Sequence, residues 1–124
     1  MNAAYLIIAH GSRDPQANRE FFQFLEHFRK VYPQRKVEGA FLELAKPAIP
    51  EAIENCVTAG ASEIFVIPLM LFSGRHVKEH IPELIEKAKV LHPEIDFHYA
   101  APLAEHPMML SLVEEKARTL KESV

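Results

Sequence analysis

The stretch Tyr5-Leu6-Ile7-Ile8-Ala9-His10-Gly11-Ser12-Arg13-Asp14-Pro15 decides how this chain folds. An apolar run ends abruptly in His-Gly-Ser-Arg, and a helix start follows at once. A short, continuous apolar run bounded by a turn predicts a buried strand, here one that carries His10 to its C-terminal tip. Gly11 allows the tight turn. Asp14 can cap the next helix, and Pro15 suits its first position, where a missing N–H needs no partner. Ligands of open α/β sheets bind outside the carboxyl ends of the strands. His10 therefore stands where chemistry is expected.

The same rhythm repeats along the chain. Ala17, Phe21, Phe24, Leu25, Phe28 and Val31 recur at helical spacing, and that helix stops before Pro33. Lys36 to Leu42 reads as a second strand with Glu43 at its end. Pro47 is expected to open a helix with Ile49, Ile53, Cys56 and Val57 on one face, closed by Gly60. Ile64-Phe65-Val66-Ile67 is β-branched and apolar, as in a central parallel strand covered on both faces. Pro68 to His76 reads as a loop. The next helix carries Ile81, Leu84, Ile85, Ala88 and Leu91, with Pro82 in an early turn, and His92-Pro93 ends it. Ile95 to Tyr99 is a fourth strand, and Pro107 begins a last helix with Leu110, Val113, Ala117 and Leu120 inward. The order βαβαβαβα predicts a single α/β domain over residues 1–124: a four-stranded parallel sheet with helices on both faces and right-handed crossovers. By analogy with flavodoxin-like sheets, the strand order is 2-1-3-4.

Composition excludes several functions. The 124 residues are 48% apolar and 25% charged, an ordinary globular balance. A net charge of -3 provides no basic field for general nucleic-acid binding. The one cysteine, Cys56, rules out an internal disulfide framework, fits a reducing cytoplasm and reads as an inert core residue. No signal peptide is expected, and no run approaches the roughly 20 apolar residues of a membrane helix. GxGxxG, GxxxxGK[ST] and GxSxG are all absent, and four glycines are too few for a wide phosphate cradle.

In this topology every βα loop lies at one edge of the sheet. The first brings His10, Ser12 and Arg13, and the second Glu43 and Lys46. The third brings Arg75, His76, Lys78 and His80, and the fourth Glu105 and His106. Two imidazoles and a carboxylate at three strand ends suit a divalent first-row metal, and neutral imidazole accepts protons near pH 7. The spacing is not a local metal motif. Blander readings stand beside these: Glu43 pairing with Lys46, His76 and His80 solvated or capping, Arg75 and Lys78 as solvated charges. His27, His92 and His98 read as surface or packing residues, and His106 as the end of a loop and start of a helix. Leu69 to Phe72 is either core or an apolar wall beside the histidines. An apolar slot rimmed by Arg13, Lys46, Arg75 and Lys78 suits a large flat ligand bearing carboxylates.

Several segments together resemble the small CbiX/SirB-type class II chelatases. They are Ala9-His10-Gly11-Ser12-Arg13, Phe41-Leu42-Glu43-Leu44-Ala45 with Pro47, Pro68 through Val77, Ile81-Pro82 and His106-Pro107, in order through nearly the whole chain. The resemblance implies a chelatase half-domain that inserts a divalent metal (cobalt, iron or nickel) into sirohydrochlorin, for cobalamin or siroheme. The metal is then a substrate, and no permanently bound cofactor is expected. It further implies that His10 and His76 handle the metal and Glu43 assists; His80, four residues after His76, is a further candidate ligand by its spacing alone. Ser12, Arg13, Lys46, Arg75 and Lys78 are the candidates for holding the tetrapyrrole. Short members resemble half of a two-lobed chelatase and are expected to pair as homodimers around a shared cleft. One departure stands out: the family commonly reads HVxxDIP, and here His80 replaces the Asp. Two rival functions fit the same residues. One is a histidine-based phosphoryl-transfer enzyme, although Ala9 stands where an arginine is expected. The other is a non-catalytic carrier of metal or tetrapyrrole.

Overall fold

The computed structural model describes residues 2–122, apart from the side chains of His76 and Glu122. Strands β1 (Ala3–Ala9), β2 (Lys36–Phe41), β3 (Glu63–Pro68) and β4 (Asp96–Tyr99) alternate with helices α1 (Pro15–Val31), α2 (Ile49–Thr58), α3 (Ile81–Leu91) and α4 (Met108–Glu122). A π-helical turn, His76–His80, runs directly into α3, and a 3-10 turn, Leu103–Glu105, precedes α4. The strands form one parallel sheet in the order β2-β1-β3-β4, the flavodoxin-like order expected by analogy.

Period-two alternation along β1 divides the core between two faces. Leu6 and Ile8 meet Ile49 and Ile53 of α2, Ile64 and Val66 of β3, and Ile81 and Ile85 of α3. On the other face Ile7 meets Phe21 and Leu25 of α1 with Val37 and Phe41 of β2. Helix α1 starts as its sequence demands: the Asp14 carboxylate accepts from the Gln16 N–H at 3.0 Å, with Pro15 in the first turn. Helix α2 starts later than expected. Pro47 lies ahead of it in the loop, and Pro50 occupies its first turn.

Three expectations about burial are corrected. Strand β3 is covered more fully on one face: Ile64 and Val66 are buried, but Phe65 and Ile67 are half-buried, because α1 packs on β1 and β2 and, among the described residues, no helix packs on β3 and β4 on that side. Leu91 is exposed at the lip of a groove between α2 and α3. Leu110, Val113, Ala117 and Leu120 point to solvent, not inward, because α4 packs chiefly against the 3-10 turn that precedes it. Periodicity shows that a helix has a face to cover; it does not show what covers it.

Cys56 is 1% exposed, and burial, reinforced by the Glu38 carboxylate, pushes its thiol up from 9.0 to about 12. The folded value lies above the unfolded one. Stability gained by keeping the thiol neutral is therefore fully present below about pH 9 and is lost as the pH rises toward 12. The native protein should leave Ellman's reagent unreacted at pH 8 and yield one thiol per chain in guanidinium. Prompt reaction of the native protein would show that α2 is not seated on the sheet.

Candidate active site

The ladder around β1 continues past the strands themselves. The Leu42 N–H donates to the Ala9 carbonyl at 2.9 Å and the Glu43 N–H to the His10 carbonyl at 3.1 Å. On the other side the Leu69 N–H donates to the Ile8 carbonyl at 2.7 Å. Backbone pairing thus delivers Glu43 beside His10. Nε2 of His10 lies 3.7 Å from Oε1 of Glu43, and the two side chains are 53% and 47% exposed. The described ion pair of Glu43 is with His10, not with Lys46.

Gly11 makes this approach possible. Its φ is +98°, and a Cβ there would fall 1.8 Å from the Glu43 carbonyl oxygen. Both the dihedral and the contact demand glycine. Behind it, Asn18 in the second turn of α1 clamps the loop. Its Oδ1 accepts from the Ser12 N–H at 3.1 Å, and its Nδ2 donates to the Ser12 carbonyl at 2.8 Å. The Ser12 hydroxyl accepts from the Asp14 N–H at 3.0 Å. Sequence reading missed Asn18. The available signal was a short amide one turn beyond the cap, able to reach back to the loop.

The second loop passes through Leu44 with φ 66°, a left-handed conformation uncommon for a branched side chain, and its Lys46–Pro47 peptide is cis. The third loop divides the two readings of Leu69 to Phe72 between its halves. Leu69 and Met70 pack against the cores, while Leu71 and Phe72 are exposed, Phe72 by 75%. The third loop is tied to the fourth: the Leu103 N–H donates to the Met70 carbonyl at 3.0 Å and the Ala104 N–H to the Leu71 carbonyl at 2.9 Å. The Tyr99 hydroxyl donates to the Val77 carbonyl at 3.1 Å. Buried Val77 and Ile81 anchor the π-helical turn.

His76 opens that turn, and its side chain lies outside the described residues. Arg75 pairs with Glu79 at 3.4 Å, well exposed, and His80 shares a shallow depression with Arg75, Glu79 and Glu83. Arg13, Lys46 and Lys78 are exposed on the same edge. His106 ends the loop as expected, its Nδ1 accepting from the Met108 N–H at 3.1 Å. Away from this edge, His92 and His98 pair with Glu54 and Glu63, and His27 is exposed. Among the described residues, no group of three or more His, Cys, Asp or Glu stands close enough to hold a metal ion. His10 and Glu43 offer two donors at the ends of the first two loops, and Leu44, Leu71 and Phe72 are exposed apolar side chains of the second and third.

A parallel α/β sheet with an imidazole–carboxylate pair at its carboxyl edge defines a small-ligand domain of the doubly wound class. The chain matches the CbiX family model over residues 4–120 and belongs to that family. It is 36% identical over 120 residues to the sirohydrochlorin cobaltochelatase of Priestia megaterium, covering 96% of this chain and 39% of that one. Its structure superposes on the sirohydrochlorin chelatase SirB of Bacillus subtilis subspecies spizizenii, solved in complex with cobalt. The TM-score is 0.76 at 40% identity, over 82% of this chain and 44% of that one. A CbiX protein from Marinobacter aquaeolei VT8 has the same fold from end to end, with a TM-score of 0.84 at 24% identity over 98% of this chain and 99% of the other. The chain spans about two-fifths of the length of the Priestia relative.

Gly11→Ala should destabilise the fold by roughly 2–5 kcal/mol, combining left-handed strain with overpacking against the second loop. A wild-type denaturation midpoint would contradict the close approach to Glu43. Asn18→Ala strips both Ser12 backbone groups of their partner, at about 1–3 kcal/mol. Hydrogen exchange at the Ser12 amide should quicken, and Asn18→Asp, which keeps the acceptor, should restore part of its protection.

Proposed function

We infer that this chain is a sirohydrochlorin chelatase, inserting a divalent metal into a tetrapyrrole for cobalamin or siroheme. The observation that carries the reading is the His10–Glu43 pair, held 3.7 Å apart by backbone pairing at the carboxyl edge. Both residues fall in segments that resemble the chelatases, and the family relatives described above bear the name. Insertion exchanges one hydrated divalent metal for two pyrrole N–H protons. The metal is a substrate, with cobalt or iron favoured and nickel a further candidate, and no permanent cofactor is required.

The division of labour follows from the side chains. Neutral His10 offers a lone pair to the incoming metal or takes a pyrrole proton. Glu43 beside it orients the ring and receives a proton leaving it. His76 is the second imidazole in this scheme and His80 a further ligand. Leu44, Leu71 and Phe72 give the macrocycle an apolar lip. Ser12, Arg13, Lys46, Arg75 and Lys78 hold its carboxylates. A chain matching half of longer relatives is read as one lobe, working as a homodimer with two carboxyl edges around one cleft. A single thiol kept reduced in the core fits a cytoplasmic enzyme.

The test is anaerobic insertion into sirohydrochlorin, followed by absorbance with cobalt, iron and nickel in parallel. Wild type should exceed the uncatalysed rate. His10→Ala and His76→Ala should each lose about 10²-fold or more, and Glu43→Gln a smaller factor. The KM for the tetrapyrrole should rise with added salt as the exposed cations are screened. A folded protein that binds the tetrapyrrole yet accelerates no metal would overturn the enzyme reading in favour of a carrier.

A further inference from the structure

The third loop carries Phe72, Arg75 and His76, and both its ends are tied to the same part of the fold. At its start the Leu103 and Ala104 N–H groups of the fourth loop donate to the Met70 and Leu71 carbonyls at 3.0 and 2.9 Å. At its far end the Tyr99 hydroxyl donates to the Val77 carbonyl at 3.1 Å, across 22 positions of sequence. Residues 72–76 are the span left between these ties. Main chain makes the first two ties and a side chain makes the third, so a single hydroxyl decides the third.

The span itself is loosely packed. Residues 71–75 are exposed, and a Cβ at Gly74 would meet nothing within 4 Å. The Lys78 N–H donates to the Gly74 carbonyl at 3.0 Å, which closes the backbone around His76. Order at His76 therefore has to come from the residues that follow it. Val77 and Ile81 are buried in the core on the α2–α3 face. Buried main-chain carbonyls need donors. A π-helical turn departs from the i→i+4 pattern that supplies them in an α-helix. The Tyr99 hydroxyl is a donor brought from outside the turn.

A post must itself be anchored, and Tyr99 is. It pairs with Val66 in the β3–β4 register, and the next amide, that of Ala100, donates to the Val66 carbonyl at 3.0 Å. Alternation along β4 puts Tyr99 on the same face as Phe97, which packs against the core cluster that holds Val77 and Ile81. A tyrosine has two side-chain torsions, so its hydroxyl is held in place at a low cost in conformational entropy.

We propose that Tyr99 is a positioning residue of the active site: its hydroxyl, bonded to the Val77 carbonyl, holds the turn that presents His76 to the carboxyl edge. It acts through the backbone and not by contact with metal or macrocycle. The inference rests on the chelatase reading for what His76 does there, and on the hydrogen bond for what Tyr99 does. Sequence gives no sign of it, since Tyr99 reads as the last residue of a strand. Position matters steeply at a reacting centre, where a misplacement of about 1 Å can cost about 10²-fold. Loss of the hydroxyl slackens the hold and leaves the imidazole in place, so it slows the chemical step and spares substrate binding.

Tyr99→Phe removes the hydroxyl and keeps the ring. Hydrogen exchange at the Lys78 amide should quicken about fivefold, the worth of one hydrogen bond. The amides of β1 should keep wild-type exchange and so report an intact fold. In anaerobic insertion kcat should fall roughly tenfold, with KM for the tetrapyrrole unchanged. In a His76→Ala background the same substitution should cost nothing further, because its effect passes through that imidazole. Unchanged exchange at Lys78 overturns the proposal. So does an equal loss of kcat in both backgrounds, which marks a general structural role. A wild-type chain that inserts no metal overturns the chelatase reading instead, and exchange at Lys78 then decides whether Tyr99 holds the turn.

Discussion

Backbone hydrogen bonding that outlasts the strands is the constraint on which the site depends. Strand β1 is paired on both sides, and each ladder runs beyond its last strand residue into the loops. The register sets Phe41 opposite Ala9, and where β2 ends the next two amides, of Leu42 and Glu43, donate to the Ala9 and His10 carbonyls. The imidazole and the carboxylate, 33 positions apart in the sequence, meet because a main-chain ladder puts them there. Gly11 is the price of that arrangement: a Cβ there would run into the Glu43 carbonyl.

The sheet is insulated unequally on its two faces. Helices α2 and α3 lie together over the Leu6–Ile8 face, while among the described residues α1 is the helix that packs on the Ile7 face. The asymmetry follows from the strand order. The crossover from β1 to β2 runs one way across the sheet and the two later crossovers run the other, so right-handedness sends α1 to one side and α2 with α3 to the opposite one. Four strands on that plan leave half a face for whatever follows β4.

Much of this was legible in the residues. The apolar runs at β1 and β3, the cap at Asp14 and the βα rhythm predict the elements closely, since each rests on local chemistry that the fold does not override. The strand order came from analogy, as no local signal encodes it. Burial of α4 was misjudged because Leu110, Val113, Ala117 and Leu120 carry the signature of a covered helix whichever surface covers it. Phe65 and Ile67 misled in the same way: an apolar run reports the wish for burial on both faces, and only the layout of helices grants or denies it. The positions of His10 and Glu43 at neighbouring strand ends could be read in advance. Asn18 and the left-handed Leu44 could not, because their roles are in loop geometry, which depends on contacts between segments.

The π-helical turn at His76–His80 holds one residue more than an α-helical path of the same span. It is in effect an insertion stored inside a helix. Removing one residue would restore regular geometry, and would swing the segment before it by about 100° around the helix axis while drawing it in by about 1.5 Å. Residues 74–76 are therefore aimed by chain length, not by side-chain identity. A point substitution in this turn changes what is presented at the carboxyl edge; a single deletion changes the direction in which it is presented.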